Sequence, residues 1–299
     1  MKYRPLVLYL LLLALLCTAV VVGARMLGRQ GAYLAQLYML TPAVAALIAR
    51  FSFYPPRFRD ANLRFGRAVD YLKYWLISLA IVALYFAAYT LLGAVSWDFT
   101  GSIFLDRLSE QFAAAGQDMS ASLPPGFTPQ MMLLVYAIGG LTVFNILPGL
   151  ITGLGEEFGH RGFMFPLLYQ IKPWAGFIIG GLIWFAWHLP IALMVPPTQP
   201  PPFWEGFVNA LVLAVGSICT FIYLAYVYIR SRSIFVVSIA HIALNNASMS
   251  LSYFTVLRDQ FLGNLGTVLV MALLILVLYL RGEFRVFREY FDKLHQERA

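Results

Sequence analysis

Residues 155–163 read "GEEFGHRGF" and set Glu156, Glu157, His160 and Arg161 directly after a long apolar run. On a helix, Glu157 and Arg161 stand four apart and can pair as carboxylate and guanidinium. Glu156 and His160 form a second such pair, rotated by roughly 100°. A clamp between Glu157 and Arg161 leaves Glu156 free to face a cavity. Two more polar interruptions follow: "LIWFAWHLP" carries His188, and "SIAHIALNNAS" carries His241, Asn245 and Asn246. His241 and Asn245 are again four apart, so one helix face presents both, while Asn246 points elsewhere. A carboxylate, two imidazoles and an amide suit hydrolysis by water. Glu156 would take the proton of the water, and His241 and Asn245 would stabilise an oxyanion. The same residues allow a second chemistry. Glu156, His188 and His241 form the His-His-Glu ligand set of a catalytic zinc site with a fourth position for water. The HExxH signature of common zinc peptidases is absent. Spacing leaves both mechanisms open.

Each residue alone has a plainer reading. His188 beside Trp184 and Trp187 reads first as a helix-packing hydrogen-bond donor, and a Glu-Arg pair at a helix end reads as topology and capping. His160 reads as auxiliary, and His295, in a charged tail, as solvated. Joint occurrence favours a site: the chain has four His, and three lie in or beside apolar spans together with the paired carboxylates. An ionisable group inside a bilayer costs ~2.5–3.5 kcal/mol, so such a cluster needs a partner or a watery cavity.

The elements that must position these groups are membrane helices. The chain is 61% hydrophobic and 12% charged, where a soluble domain carries about 25% charge. Runs of about 20 apolar residues are needed to cross a bilayer. The sequence offers eight, at 6–22, 33–49, 71–92, 131–152, 174–194, 207–229, 234–252 and 263–280. The expected fold is an all-α polytopic bundle of eight transmembrane helices, forming one membrane domain over residues 1–299. The first run lacks a small-residue cleavage site and reads as a retained helix.

With an even number of spans, every Lys and Arg except Arg25, Arg29, Arg107 and Arg258 falls on the side of the termini. Basic flanks stay in the cytoplasm, which places both termini there in a multi-pass plasma-membrane protein. The net charge of +7 then answers to topology and the anionic lipid bilayer, with no nucleic acid implied. Cys17 and Cys219 fall inside spans and read as packing residues. Residues 52–75 read as a basic, aromatic segment lying in the cytoplasmic interface, 95–128 as the longest loop on the opposite face, and 195–203 as a stiff Pro-rich connector. No internal repeat is visible, which disfavours many transporter folds.

The three polar stretches together resemble a family pattern. "EEFGHR" is similar to the EExxxR motif of the CPBP family, the CAAX proteases and bacteriocin-processing enzymes also called the Abi family. "WFAWH" resembles its FxxxH motif and "HIALN" its HxxxN motif. The resemblance covers about residues 131–252, the expected catalytic core. It implies an eight-helix intramembrane endopeptidase similar to the type II CAAX prenyl endopeptidase. Glu156 would then activate water, with His188 assisting or binding a metal. His241 and Asn245 would form the oxyanion site, with Glu157 and Arg161 supporting. The cofactor stays open between Zn²⁺ and a metal-free mechanism. The implied partner is a membrane-associated protein or peptide substrate. Two departures stand out: Trp184 takes the place of the motif Phe, with Phe185 one step later, and His160 puts a titratable group beside Glu156. The style of the motifs looks prokaryotic, and prokaryotes generally lack prenylated CAAX proteins, so the substrate is not given by the resemblance.

A straight fourth span would carry Glu156 about 25 residues beyond Met131, to or past the membrane boundary, while His188 would lie ~21 Å deep at ~1.5 Å per residue. Pro148, Gly149, Gly153 and Gly155 permit a break or re-entry, and a water-filled cavity open to the cytoplasm is expected. Two other functions fit the composition: an ion- or proton-coupled transporter or channel, and a non-catalytic immunity or scaffold member of the fold.

Overall fold

In chain order the computed structural model consists of α1 (Arg4–Met26), α2 (Ala35–Phe53), α3 (Ala68–Leu91), β1 (Val95–Trp97), α4 (Ser102–Ala114), α5 (Pro129–Leu141), α6 (Ile146–Gly159), α7 (Phe165–Ile171), α8 (Gly180–His188), α9 (Ile191–Met194), α10 (Phe203–Ser231), α11 (Ile234–Ser252), β2 (Thr255–Leu257), α12 (Gln260–Leu280) and α13 (Arg285–Gln296). It describes residues 3–54, 57–114, 116–142, 146–194 and 202–296. The Pro-rich connector expected at 195–203 falls almost entirely outside them, as does the side chain of His295.

The chain is all-α apart from β1 and β2, which pair antiparallel with Val95 opposite Leu257. Among the described residues six helices are long and apolar enough to cross a bilayer: α1, α2, α3, α10, α11 and α12. This is a multi-pass membrane architecture. The fourth and fifth expected spans are not single long helices. α5, capped by the Thr128 hydroxyl on the Met131 N–H, ends as Thr142 turns extended. α6 then starts afresh at Ile146. The fifth runs through a π-helical turn at Ala175–Ile179 into α8, which stops at His188 before Pro190. The straight helix that would have separated Glu156 from His188 therefore does not exist.

α11 is the hub. Two thirds of its span (67%) is buried, against 22% for α1 and α12, and it packs against α3, α5, α6 and α10. Its Ser233 caps its own N-terminus, accepting from the Val236 N–H, and the Ser78 hydroxyl of α3 donates to the Ala240 carbonyl one residue before His241. α6 reaches this hub because its glycines let backbones approach, a device common between membrane helices. Gly153 faces Ile242 of α11, and on the other side Gly159 lies against Pro42 of α2, where an added Cβ would sit 2.4–2.5 Å from Pro42 atoms. The glycines foreseen as a break thus serve as contact points inside α6.

Gly159→Ala is accordingly expected to destabilise the protein by about 1–3 kcal/mol through overpacking against backbone that cannot move aside. Gly139→Ala is the control, because a Cβ there meets nothing within 4 Å. Comparing melting temperatures of the two purified variants tests the packing; equal effects would contradict it.

Three connecting regions differ from the sequence expectation. The loop at 95–128 contains β1 and α4. Within the 52–75 segment Tyr54, Asp60, Ala61 and Asn62 are buried, and Asp60 is held by Arg50 at 2.8 Å. The charged C-terminal stretch forms α13, whose Phe287, Tyr290 and Phe291 are buried. Phe291 stacks on Tyr169 with ring centres 4.2 Å apart.

Candidate active site

The site lies where α6, α8 and α11 meet. Glu157, fully buried, accepts at one oxygen, Oε1, from both Arg161 Nη1 (2.8 Å) and His241 Nδ1 (2.8 Å). An ionised carboxylate only accepts, so the His241 hydrogen sits on Nδ1 and Nε2 is the ring atom left for chemistry. Glu157 is therefore more than the clamp on Arg161: it joins α6 to α11 and sets the orientation of the imidazole. The Arg161 guanidinium lies between the rings of Trp184 (4.6 Å) and Phe221 (4.2 Å), which replace part of its lost hydration.

Glu156, 5% exposed, points the other way. Its Oε2 accepts from the indole Nε1 of Trp184 at 3.3 Å and lies 4.0 Å from His188 Nε2. His188 Nδ1 donates to the Trp184 carbonyl at 2.8 Å, so Nε2 faces Glu156 as the free ring nitrogen. The Trp184 ring also stands 5.7 Å from that of His241. One indole thus touches both halves of the site.

α2 fixes the end of α8. Helix termini leave carbonyls unpaired; the Tyr38 hydroxyl donates to the Trp187 carbonyl at 2.6 Å, and Trp187 Nε1 donates to Thr41 Oγ1 at 3.2 Å. In the sequence Trp187 stands out only as a neighbour of His188, and Tyr38 and Thr41 not at all. Their only signal there is the polar pair Tyr38 and Thr41 one turn apart in an apolar span.

Hydrogen bonds, ion pairs and ring contacts join Glu156, Glu157, Arg161, His188 and His241. Asn245 is exposed one turn along α11 from His241, and among the described residues no hydrogen bond joins it to the other five. His160 does not pair with Glu156. A π-helical turn begins at His160 and carries the ring into the core, where Nδ1 lies 3.2 Å from the Tyr9 hydroxyl and the ring stands edge-on to Trp187. A π-bulge inside a helix often marks a functional site.

The zinc reading fares poorly on geometry. Among the described residues no three His, Cys, Asp or Glu side chains are placed to hold one ion. Glu156, His188 and His241 do not form such a set, although the Nδ1 of His241 is turned to Glu157 and its Nε2 is open.

Residues 138–247 match a family described as Rce1-like, the type II CAAX prenyl endopeptidases. No curated protein matches the chain. The match covers α6, α8 and α11 as far as Ala247, and so encloses every residue of the cluster. Residues 138–247 are thus an Rce1-like domain of the type II CAAX prenyl endopeptidase family, and that membership implies an intramembrane protease.

Proposed function

We propose that the protein is an intramembrane endopeptidase that hydrolyses a peptide bond of a membrane-associated protein or peptide by water activated on Glu156. The observation that carries this reading is the Glu156–His188 pair, 4.0 Å apart. A polar gap of that size suits one bridging water. Glu156 takes the proton of the water, and the oxygen attacks the scissile carbonyl carbon. The Asn245 amide donates to the oxyanion, and so does His241 Nε2 once the ring carries a second proton as imidazolium, with Nδ1–H kept on Glu157. The proton then passes to the departing amine nitrogen as the C–N bond breaks, and His188 holds the water and relays the proton. Glu157 and Arg161 position His241. No step needs a metal. Water access is supported by His188, whose side chain is 37% exposed beside a nearly buried Glu156, and by exposed Asn245. By the excess of Lys and Arg, the chain ends lie on the cytoplasmic side.

The test is cleavage of a panel of membrane-tethered peptides, prenylated and not, by the purified full chain. Fragments formed by the wild type and not by Glu156→Gln support the reading. Ion flux lost in Glu156→Gln, with no peptide cut by either protein, would replace it with transport.

Trp184 is the positioning residue that the family comparison would overlook, since the resembled motif has Phe. Trp184→Phe keeps a ring against Arg161 and removes the hydrogen bond to Glu156. The expected result is a drop in kcat of about tenfold, the size of one hydrogen bond to a charged acceptor, with KM and melting temperature little changed. An unchanged kcat would show that the indole N–H does not orient the carboxylate.

A further inference from the structure

Away from the candidate active site, at the end of the bundle where the basic segments gather, a concavity of about 150 Å³ is lined by Arg59, Asp60, Asn62, Arg64, Arg232, Tyr290, Lys293 and Leu294. The cations come from three stretches far apart in sequence: the α2–α3 connector, the α10–α11 corner and α13. The geometry points to a binding site for a phosphate group, held by Arg59, Arg64 and Arg232.

Four observations carry the assignment. First, among the described residues Arg59, Arg64 and Arg232 have no carboxylate partner, and guanidinium groups fork onto phosphate oxygens with two parallel hydrogen bonds each. Second, the acid in the lining is engaged on its inner side: the Asp60 carboxylate accepts from Arg50 at 2.8 Å and from the Tyr54 hydroxyl. Third, the floor is built before any ligand arrives. Asn62 Nδ2 donates to the Tyr290 hydroxyl at 3.0 Å, and the Arg232 guanidinium lies 5.9 Å from the Tyr290 ring. Fourth, Arg232 ends α10 in the left-handed region, φ 50°, where glycine would be easier. An L-residue held there costs ~1–3 kcal/mol and tends to persist where its side chain has work. A concavity of about 150 Å³ has room for a phosphate group and too little for a folded partner.

The phosphate can belong to a lipid headgroup or be free in solution. Basic pockets between membrane helices bind anionic headgroups, and both sources present the same oxygens. Occupancy would tie the connector to α13 and, through Asp60, to Arg50, whose other nitrogen donates to the Gly162 carbonyl beside Arg161.

The full chain in neutral detergent is titrated with dispersed short-chain phosphatidylglycerol, with the matching phosphatidylcholine, and with inorganic phosphate, and melting temperature is read. The expected result is a saturable rise with phosphatidylglycerol and none with phosphatidylcholine. That rise is absent in Arg64→Gln/Arg232→Gln and kept in Arg281→Gln/Arg288→Gln, which removes equal charge from outside the pocket. A rise with inorganic phosphate of the same size, also lost in the pocket variant, assigns the site to free phosphate; a rise with the lipid alone assigns it to a headgroup. No rise with either anion, or equal loss in both double variants, overturns the proposal. All four substituted arginines are exposed, and a wild-type melting temperature of each variant without anion shows that it folds.

Discussion

Glu157→Ala is expected to cost about 3–5 kcal/mol of stability, the usual loss when one partner of a buried ion pair is removed, and to stop cleavage in whatever protein still folds. Two groups are orphaned at once. Arg161 is fully buried and has its ion-pair partner in Glu157 alone among the described residues. Arg161 Nε and Nη2 already lack hydrogen-bond partners there, so the loss cannot be made up locally. His241, 3% exposed, loses the acceptor that fixes its tautomer. The double variant Glu157→Leu/Arg161→Leu separates the two roles. With both charges gone, apolar packing restores much of the stability, while His241 stays without its orienting acceptor and cleavage stays lost. Melting temperature and cleavage rate, measured on both variants, check this. Activity recovered along with stability would show that Glu157 is only structural.

Glu156→Gln is expected to fold like the wild type and to lose about 10²–10⁴-fold in kcat. The amide keeps an acceptor oxygen for the Trp184 indole at nearly the same shape, so the bond seen at 3.3 Å survives. It cannot accept a proton, and general-base catalysis contributes about 10²–10⁴-fold. The contrast between the adjacent glutamates is the sharp part: a stability loss belongs to Glu157 and a pure rate loss to Glu156. A stability loss at Glu156, or a wild-type rate for Glu156→Gln, would reverse their assignment.

The membrane class and the cluster were readable because polar residues are costly in apolar sequence, so Glu156, His188 and His241 stand out where a soluble protein would hide them. The i,i+4 link from Glu157 to Arg161 was readable for the same local reason. What joins Glu157 to His241 was not, because the two lie 84 residues apart and periodicity says nothing about which helices touch. The break after Leu141 was displaced by several residues. Gly149, Gly153 and Gly155 looked like breakers, yet small residues in membrane helices more often admit a neighbour, and Gly153 admits Ile242. Trp184 was legible as an aromatic in a motif and not as a hydrogen-bond donor to Glu156. α13 was not legible as a packed helix although Phe287, Tyr290, Phe291 and Leu294 follow helical spacing, because its many charges give it the composition of a solvated tail. β1 and β2 escaped notice because three-residue strands carry no period, and their partners are far apart in sequence.

The central claim is that Glu156 activates a water that becomes part of the product. The most direct measurement is mass spectrometry of fragments formed in heavy-oxygen water by the wild type and by Glu156→Gln under identical loading. The expected result is one heavy oxygen in the new C-terminal carboxylate of the wild-type product and about 10²–10⁴-fold less product from the variant. Equal product from both proteins would contradict the claim.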